Sequence, residues 1–444
     1  MPRVSIRHWR SRVADVDPSP AAGALTDRRI AILSHTHPSL SKGGAEIAAR
    51  TLFRGLRASG VDAILISACD EAALDRLDLD PYEFALPYRS TLYDHFYHLS
   101  SIDVRRSLIA LLQRERVALL NAHHFLNVGS EIFRDVTDVG IPVVFTIHEF
   151  LAICHNHGQL IKRHTNALCD GPTPGACRAC YPEHSRQQFA VRQQHFAAAL
   201  APVAAFVSPS HFLADTMVRN GLPADRVHVI ENGIEQGRAS PTRSVSRRRI
   251  WTFSYFGQIN PFKGMDVLLD ACAIIARDEA LCAQIRIVVH GNMIGQSPAF
   301  IERFDAACER YPFLRYAGAY DNGSVADLMA ACDYVVFPST WWENSPVVIQ
   351  EAFQARRPVL CTGIGGMAEK VTDRVNGLHF LRGDPADLAD RIAEASDLEL
   401  YGHLQQAIPP VLSPTQMAER YLAIFEDVSK AGAPGLLAYV PDRI

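Results

Sequence analysis

At 444 residues the chain is long for one compact core, and about 150 residues per domain suggests two or three domains. Apolar residues make up 48% and charged residues 21%, ordinary globular usage that excludes a disordered, collagen-like or membrane-embedded chain. Lys and Arg total 44 against 48 Asp and Glu, a net charge of −4 that sets aside nucleic acid as a main partner.

Residues 1–27 hold no periodic pattern and read as a mobile arm, with Arg3, Arg7, Arg10 and Arg12 around Trp9. A solvated tail is the plain reading of these cations, and peripheral contact with an anionic membrane face is the alternative. The opening MPRVSIRHWRSR lacks the apolar segment of a secretory signal and no run of 18 apolar residues occurs, so a cytoplasmic chain is expected.

From residue 28 onward, short runs rich in Val, Ile, Phe and Ala alternate with longer amphipathic stretches, the pattern of strands and helices around a parallel sheet. The first half has predicted strands at 29–35, 61–67, 117–123, 142–148, 204–210 and 226–232. The second half repeats the pattern at 251–257, 286–292, 313–318, 334–339, 358–363 and 377–381. Their nearly continuous apolar character fits strands covered on both faces. Two doubly wound domains are therefore expected, 28–231 and 250–411, joined by the polar, Arg-, Gly- and Ser-containing linker 232–249. Ligands of such sheets bind beyond the carboxyl ends of the strands, so the chemistry is sought in the loops there.

After the first strand, Gly43 and Gly44 allow close backbone approach to a ligand at a helix start. A Gly-Gly turn alone is usually just a loop. The strand PVVFTIH ends at His148-Glu149, and VALLNAH leads to His123 and His124, also at a strand end. Such an end is where a histidine could work, although an isolated histidine is more often a satisfied structural group. Shortly beyond comes CHNHGQLIKRHTNALCDGPTPGACRAC, residues 154–180. Cys154, Cys169, Cys177 and Cys180, with a terminal C-x2-C, suffice for a four-thiolate structural zinc site or an iron–sulfur cluster. A metal would also order a loop with little apolar surface to bury. Ordinary reduced thiols are the alternative, and Cys69, Cys272, Cys282, Cys308, Cys332 and Cys361 read as packing residues.

In the second half, FGQINPFKGMDVLLDA places Gly257, Gln258 and Lys263 after a strand, and TWWENSPVVIQEAF places Glu343 and Glu351 with seven residues between them. Ser345 and Pro346 read as N-cap and first helical residue, which leaves Glu343 ahead of the helix and Glu351 inside it. Carboxylates accept hydrogen bonds from sugar hydroxyls, and a lysine neutralises phosphate; read alone, both are ordinary surface charges.

Together, Glu343-x7-Glu351, Pro358-Val359, Gly365-Gly366, Glu369 and Asn376-Gly377 resemble the donor site of the retaining glycosyltransferases of family 4. Lys263-Gly264 matches that family's diphosphate-binding loop, with Gln258 standing where an Arg is common. Gly43-Gly44-Ala45-Glu46 is similar to its phosphate or acceptor loop, and His148-Glu149 to its His-Asp or His-Glu at the cleft floor. Some members also carry a Cys-rich insert after this His.

The resemblance implies an α/β GT-B fold, with two Rossmann-like doubly wound domains facing a central cleft, a C-terminal helix (412–430) crossing back to the first domain, and a tail (431–444). It implies a nucleotide-diphosphate-sugar donor, a hydroxyl acceptor such as a glycan, lipid-linked glycan or polysaccharide, retention of configuration, and no catalytic metal. Glu343, Asn344, Ser345 and the Gly365-Gly366-Met367 backbone would meet the donor, Glu351 the ribose and Lys263 the diphosphate. His148, Lys263 and Glu343 would be catalytic. A sugar-nucleotide epimerase or phosphorylase on the same framework, and a non-catalytic sugar-nucleotide-binding protein, are the rival readings. No G-x-G-x-x-G follows a strand, which disfavours a nicotinamide dehydrogenase.

Overall fold

A computed structural model describes residues 14–15, 28–41, 43–235 and 250–431. The predicted arm apart from 14–15, most of the linker, and the tail from 432 lie outside the described residues. The chain divides into two compact units, Met1–Gly233 with Leu412–Ile444, and Ile234–Val411.

The first unit is built on strands β1 (Ala14–Asp15), β2 (Arg29–Ser34), β3 (Ala63–Asp70), β4 (Glu83–Tyr88), β5 (Val117–Ala122), β6 (Val143–Thr146), β7 (Ala205–Ser208) and β8 (Val227–Val229). All pair in parallel in the order β1-β8-β7-β6-β5-β2-β3-β4. The central strands are apolar along their whole length because helices cover both faces, and Ile30 to Leu33 are fully buried. The helix Gly44–Ala58 packs Ala49, Leu52, Phe53 and Leu56 onto this sheet at helical spacing. The terminal helix Pro414–Ala431 lies beside it and adds Met417, Tyr421, Ile424 and Phe425 to the same core.

The second unit holds β9 (Trp251–Phe256), β10 (Ile285–His290), β11 (Leu314–Gly318), β12 (Tyr334–Phe337), β13 (Val359–Thr362) and β14 (Gly377–Phe380), parallel in the order β11-β10-β9-β12-β13-β14. Apart from the two-residue edge strand β1, the chain in each sheet starts centrally, winds one way, then returns to wind the other. That creates a switch point between β2 and β5 in the first unit and between β9 and β12 in the second. Two α/β, Rossmann-like units are the architecture expected from the sequence. Strands β1 and β4 were not among the predicted ones.

Candidate functional site

In the second unit the loops after β9 and β12 meet at the switch point. Asn260 Oδ1 accepts from the Lys263 N–H at 2.8 Å, fixing the loop that presents the lysine. Gly264 follows in the left-handed region at φ 77°, and a Cβ there would lie 1.8 Å from the Pro338 carbonyl oxygen at the end of β12. Only glycine lets these two loops close up. Lys263 Nζ consequently donates to Glu343 Oε1 at 2.6 Å. The same carboxylate oxygen accepts from Ser339 Oγ at 2.8 Å and Trp341 Nε1 at 2.6 Å. The ammonium also lies 5.0 Å from the centre of the Trp341 ring, a cation–π contact.

The main chain of Glu343 is held as tightly, since its carbonyl accepts from the Gly366 N–H at 2.8 Å. A Cβ on Gly366 would sit 2.1 Å from the Asn344 carbonyl oxygen, so Gly366 is required for this approach. Gly365 opens the short helix Gly365–Lys370, while the Met367 side chain is fully buried in the core beneath. Gln258 follows Gly257 at the end of β9, and its carbonyl accepts from Tyr255 Oη. Glu351 lies on the helix Val347–Gln354, where burial pushes its carboxyl up to about 7. The helix starts one residue later than the sequence suggests: Pro346 is the N-cap, and Ser345 Oγ makes no capping bond. Proline's fixed φ suits this edge position equally well.

The switch point of the first unit gathers histidines and carboxylates. Gly43 is the N-cap of the helix Gly44–Ala58, whose buried Glu46 approaches His35 Nε2 at 3.4 Å. His124 Nε2 lies 3.5 Å from Glu149 Oε1, and His123 Nδ1 lies 2.9 Å from His148 Nε2. Burial pushes Glu149 up to about 8, so it is a neutral acid at physiological pH, and burial holds His148 down at about 3. Buried His37 and Glu83 form a further cluster with the partly exposed Arg50. Burial alone would raise the Glu83 carboxyl, but hydrogen bonds from His37, the Asp80 N–H and Arg50 bring it to about 2. Asn121, His35, Ser339, Trp341 and Tyr255 were missed in the sequence. A polar Asn inside the apolar strand VALLNA was the one visible signal.

The zinc or iron–sulfur site expected at Cys154, Cys169, Cys177 and Cys180 is not supported. The four cysteines line one cavity of about 40 Å³, yet among the described residues no group of three or more His, Cys, Asp or Glu side chains is placed to hold a metal ion. The insert draws its order from elsewhere. Buried Arg192 donates to the carbonyls of Phe96, Leu151 and Ala152, Tyr181 Oη donates to Asn156 Oδ1, and Phe96, His155, His184 and Phe189 pack as a ring cluster. Those anchors lie outside the Cys spacing or are single residues within it, so the spacing gave no hint of them. A larger cavity of about 740 Å³ in the first unit, lined by Phe196, Leu200, Met217 and Arg226 among others, contains none of the predicted site residues.

Two parallel doubly wound sheets, each with polar groups gathered at its own switch point, define a two-domain Rossmann-like α/β protein. The chain is built of a domain matching Glycosyltransferase Family 4 at residues 42–238, followed by one matching Glycosyl transferases group 1 at residues 251–397. The D-inositol 3-phosphate glycosyltransferase of Salinispora arenicola is 28% identical over 189 residues, 39% of this chain and 42% of that protein. That of Geodermatophilus obscurus is 30% identical, over 39% of this chain and 40% of its own. The chain thus spans about two fifths of the length of these relatives. The D-inositol 3-phosphate glycosyltransferase 2 of Catenulispora acidiphila is 25% identical over 83% of this chain and 87% of its own.

Among solved structures, Anabaena HepE in complex with UDP matches with a TM-score of 0.64 at 16% identity, over 90% of this chain and all of that one (100%). Sucrose-phosphate synthase of Thermosynechococcus elongatus matches with a TM-score of 0.67 at 17% identity, over 91% of this chain and 100% of its own. These likenesses establish the GT-B kind of fold for the two units. Among the described residues no helix is long and apolar enough to cross a membrane.

Proposed function

We propose that the chain transfers a sugar from a nucleotide-diphosphate-sugar donor to a hydroxyl acceptor with retention of configuration. The observation that carries this reading is the Lys263–Glu343 pair at the switch point of the second sheet. At rest each charge neutralises the other. When donor enters, Lys263 turns to the diphosphate and stabilises the charge that develops as the bond from the anomeric carbon to the phosphate oxygen breaks. Glu343 is then released to accept from the sugar's hydroxyls, and Glu351 holds the ribose. The acceptor oxygen bonds to the anomeric carbon on the face the phosphate leaves, and its proton passes to the departing phosphate oxygen. His148 acts on the transferred sugar. A glycan, a lipid-linked glycan or a growing polysaccharide fits the acceptor role, and the relatives named for D-inositol 3-phosphate make a phosphorylated polyol a further member of that class. Ten free cysteines agree with a reducing compartment.

A thermal-shift screen of UDP-, GDP-, ADP- and TDP-sugars identifies the donor, and a transfer assay follows with that donor. Glu351→Ala is expected to weaken nucleotide binding, and His148→Ala to lower turnover chiefly. Unchanged activity in both overturns the assignment. The neutral Gln258, in place of a cation beside the diphosphate, favours one second reading, a sugar-nucleotide-binding protein without catalysis. Donor binding with neither hydrolysis nor transfer against any acceptor pool would select it.

A further inference from the structure

The cavity of about 740 Å³ in the first unit is lined by none of the residues gathered at the switch points. Its walls come from that unit alone: the helices Arg186–Leu200 and His211–Arg219, the segment 220–226, and the chain that follows β6. The volume falls in the range of roughly 300–1,000 Å³ usual for ligand pockets, and the composition of the walls is of the same kind. Phe196, Leu200 and Met217 are buried beneath it, with Ile153, Leu222 and Pro223 beside them.

The sequence of the first of these helices also suits an apolar occupant. No Lys, Arg, Asp or Glu occurs between residues 193 and 210. Yet Gln193, Gln194, Ala197 and Ala198 are exposed on that helix. A helix face that met only water would ordinarily carry charge.

Charge enters the cavity with one sign. Among the described residues its charged lining is Arg219 and Arg226, and no Asp or Glu lines it. Arg226 donates from Nη1 to the carbonyls of Ala201 and Val203, and Arg219 donates from Nε to the Asp215 carbonyl and from Nη2 to Thr216 Oγ1. The Asp215 carboxyl also acts on Arg219 but does not line the cavity. A guanidinium has five N–H donors, so these bonds orient both groups and leave each with donors for an anion. Two such cations suit a dianionic head, which a phosphate monoester supplies near neutral pH and a carboxylate does not.

We propose that this cavity binds a single-chain lipid phosphate, its hydrocarbon against Phe196, Leu200 and Met217 and its phosphate drawn by Arg219 and Arg226. The site goes beyond the transferase reading and does not depend on it, since binding needs no donor.

The test titrates the full chain with octyl, decyl and dodecyl phosphate, each below its micelle concentration, by isothermal calorimetry. Near-UV circular dichroism is recorded on the same samples. One molecule per chain is expected, with affinity rising on the order of tenfold for every two methylenes taken out of water. Dodecyltrimethylammonium, with the same chain and the opposite head, should bind at least about tenfold more weakly. Ala197→Glu brings a carboxylate to the cavity from an exposed position, and Arg219→Ala removes a cation from another. Each should weaken dodecyl phosphate by about tenfold with the melting temperature unchanged. No binding, equal binding of the two heads, many molecules bound with loss of the near-UV signal, or affinity untouched by both substitutions overturns the proposal. Binding to anionic phospholipid vesicles with none to monomeric dodecyl phosphate also overturns it, and would make this face a membrane contact instead. A chain that binds the lipid phosphate as expected but transfers no sugar sinks the transferase reading alone.

Discussion

Lys263 and Glu343 stand 80 positions apart in sequence, yet one carboxylate oxygen collects the ammonium, the Ser339 hydroxyl and the Trp341 indole N–H. The pair is mostly out of solvent, with side chains 22% and 11% exposed, so removing one partner costs more than at a surface. Lys263→Ala is expected to lower transfer by about 100- to 1000-fold and to reduce unfolding free energy by roughly 1–3 kcal/mol. A kinetic assay and a urea titration read the two effects. Glu351 supplies a pH signature. Its carboxyl titrates at about 7 because of burial, and only the ionised form accepts from both ribose hydroxyls. Nucleotide affinity should therefore rise as pH passes upward through that value, and Glu351→Gln should flatten the profile in a binding titration. Glu343-x7-Glu351 and Lys263-Gly264 are each short motifs and so visible in the sequence, whereas the contact that joins Lys263 to Glu343 is not. Ser339, Trp341 and Tyr255 were not visible either, because they matter only where two loops from different strands converge.

At the level of elements, apolar continuity identified twelve of the fourteen described strands. It missed β4 for a physical reason. This strand lies at the sheet edge, carries Pro87 opposite Cys69, and alternates poorly, as edge strands do when a proline blunts them. Two-residue β1 is too short for any periodicity. The loop-to-strand closure at Gly264 is the element on which the lysine's position depends. Gly264→Ala meets both the left-handed backbone and the Pro338 carbonyl, and should cost on the order of 2 kcal/mol or more while impairing transfer. Chemical denaturation of this variant beside Gly60→Ala, a left-handed glycine with open space around it, separates the clash from the backbone effect. The Cys insert was the misread element. Thiol spacing suggests a metal whenever apolar surface is scarce, whereas here buried Arg192 and a ring cluster supply the order.

For the molecule as a whole, the sequence displayed its duplication openly: two runs of strands, each winding out from its centre. The return of the terminal helix to the first unit was also legible, from resemblance. Its apolar stripe of Met417, Tyr421, Ile424 and Phe425 completes that unit's core. Truncation before residue 412 should leave the first unit insoluble or molten, which loss of near-UV circular dichroism would report. Stability should also depend on pH through Glu149. Its folded pKa of about 8 lies above that of an unfolded glutamate, so its contribution is complete below about pH 4 and is lost as pH rises toward about 8. Glu149→Gln should remove that decline in melts taken across the range. The central claim is nucleotide-sugar transfer, and its most direct test is steady-state kinetics on wild type, Glu351→Ala and His148→Ala with one donor found by the screen. The account predicts transfer by wild type, a raised donor KM in Glu351→Ala and a lowered kcat in His148→Ala. No transfer by wild type with any donor and acceptor, or kinetics untouched by both substitutions, would contradict it.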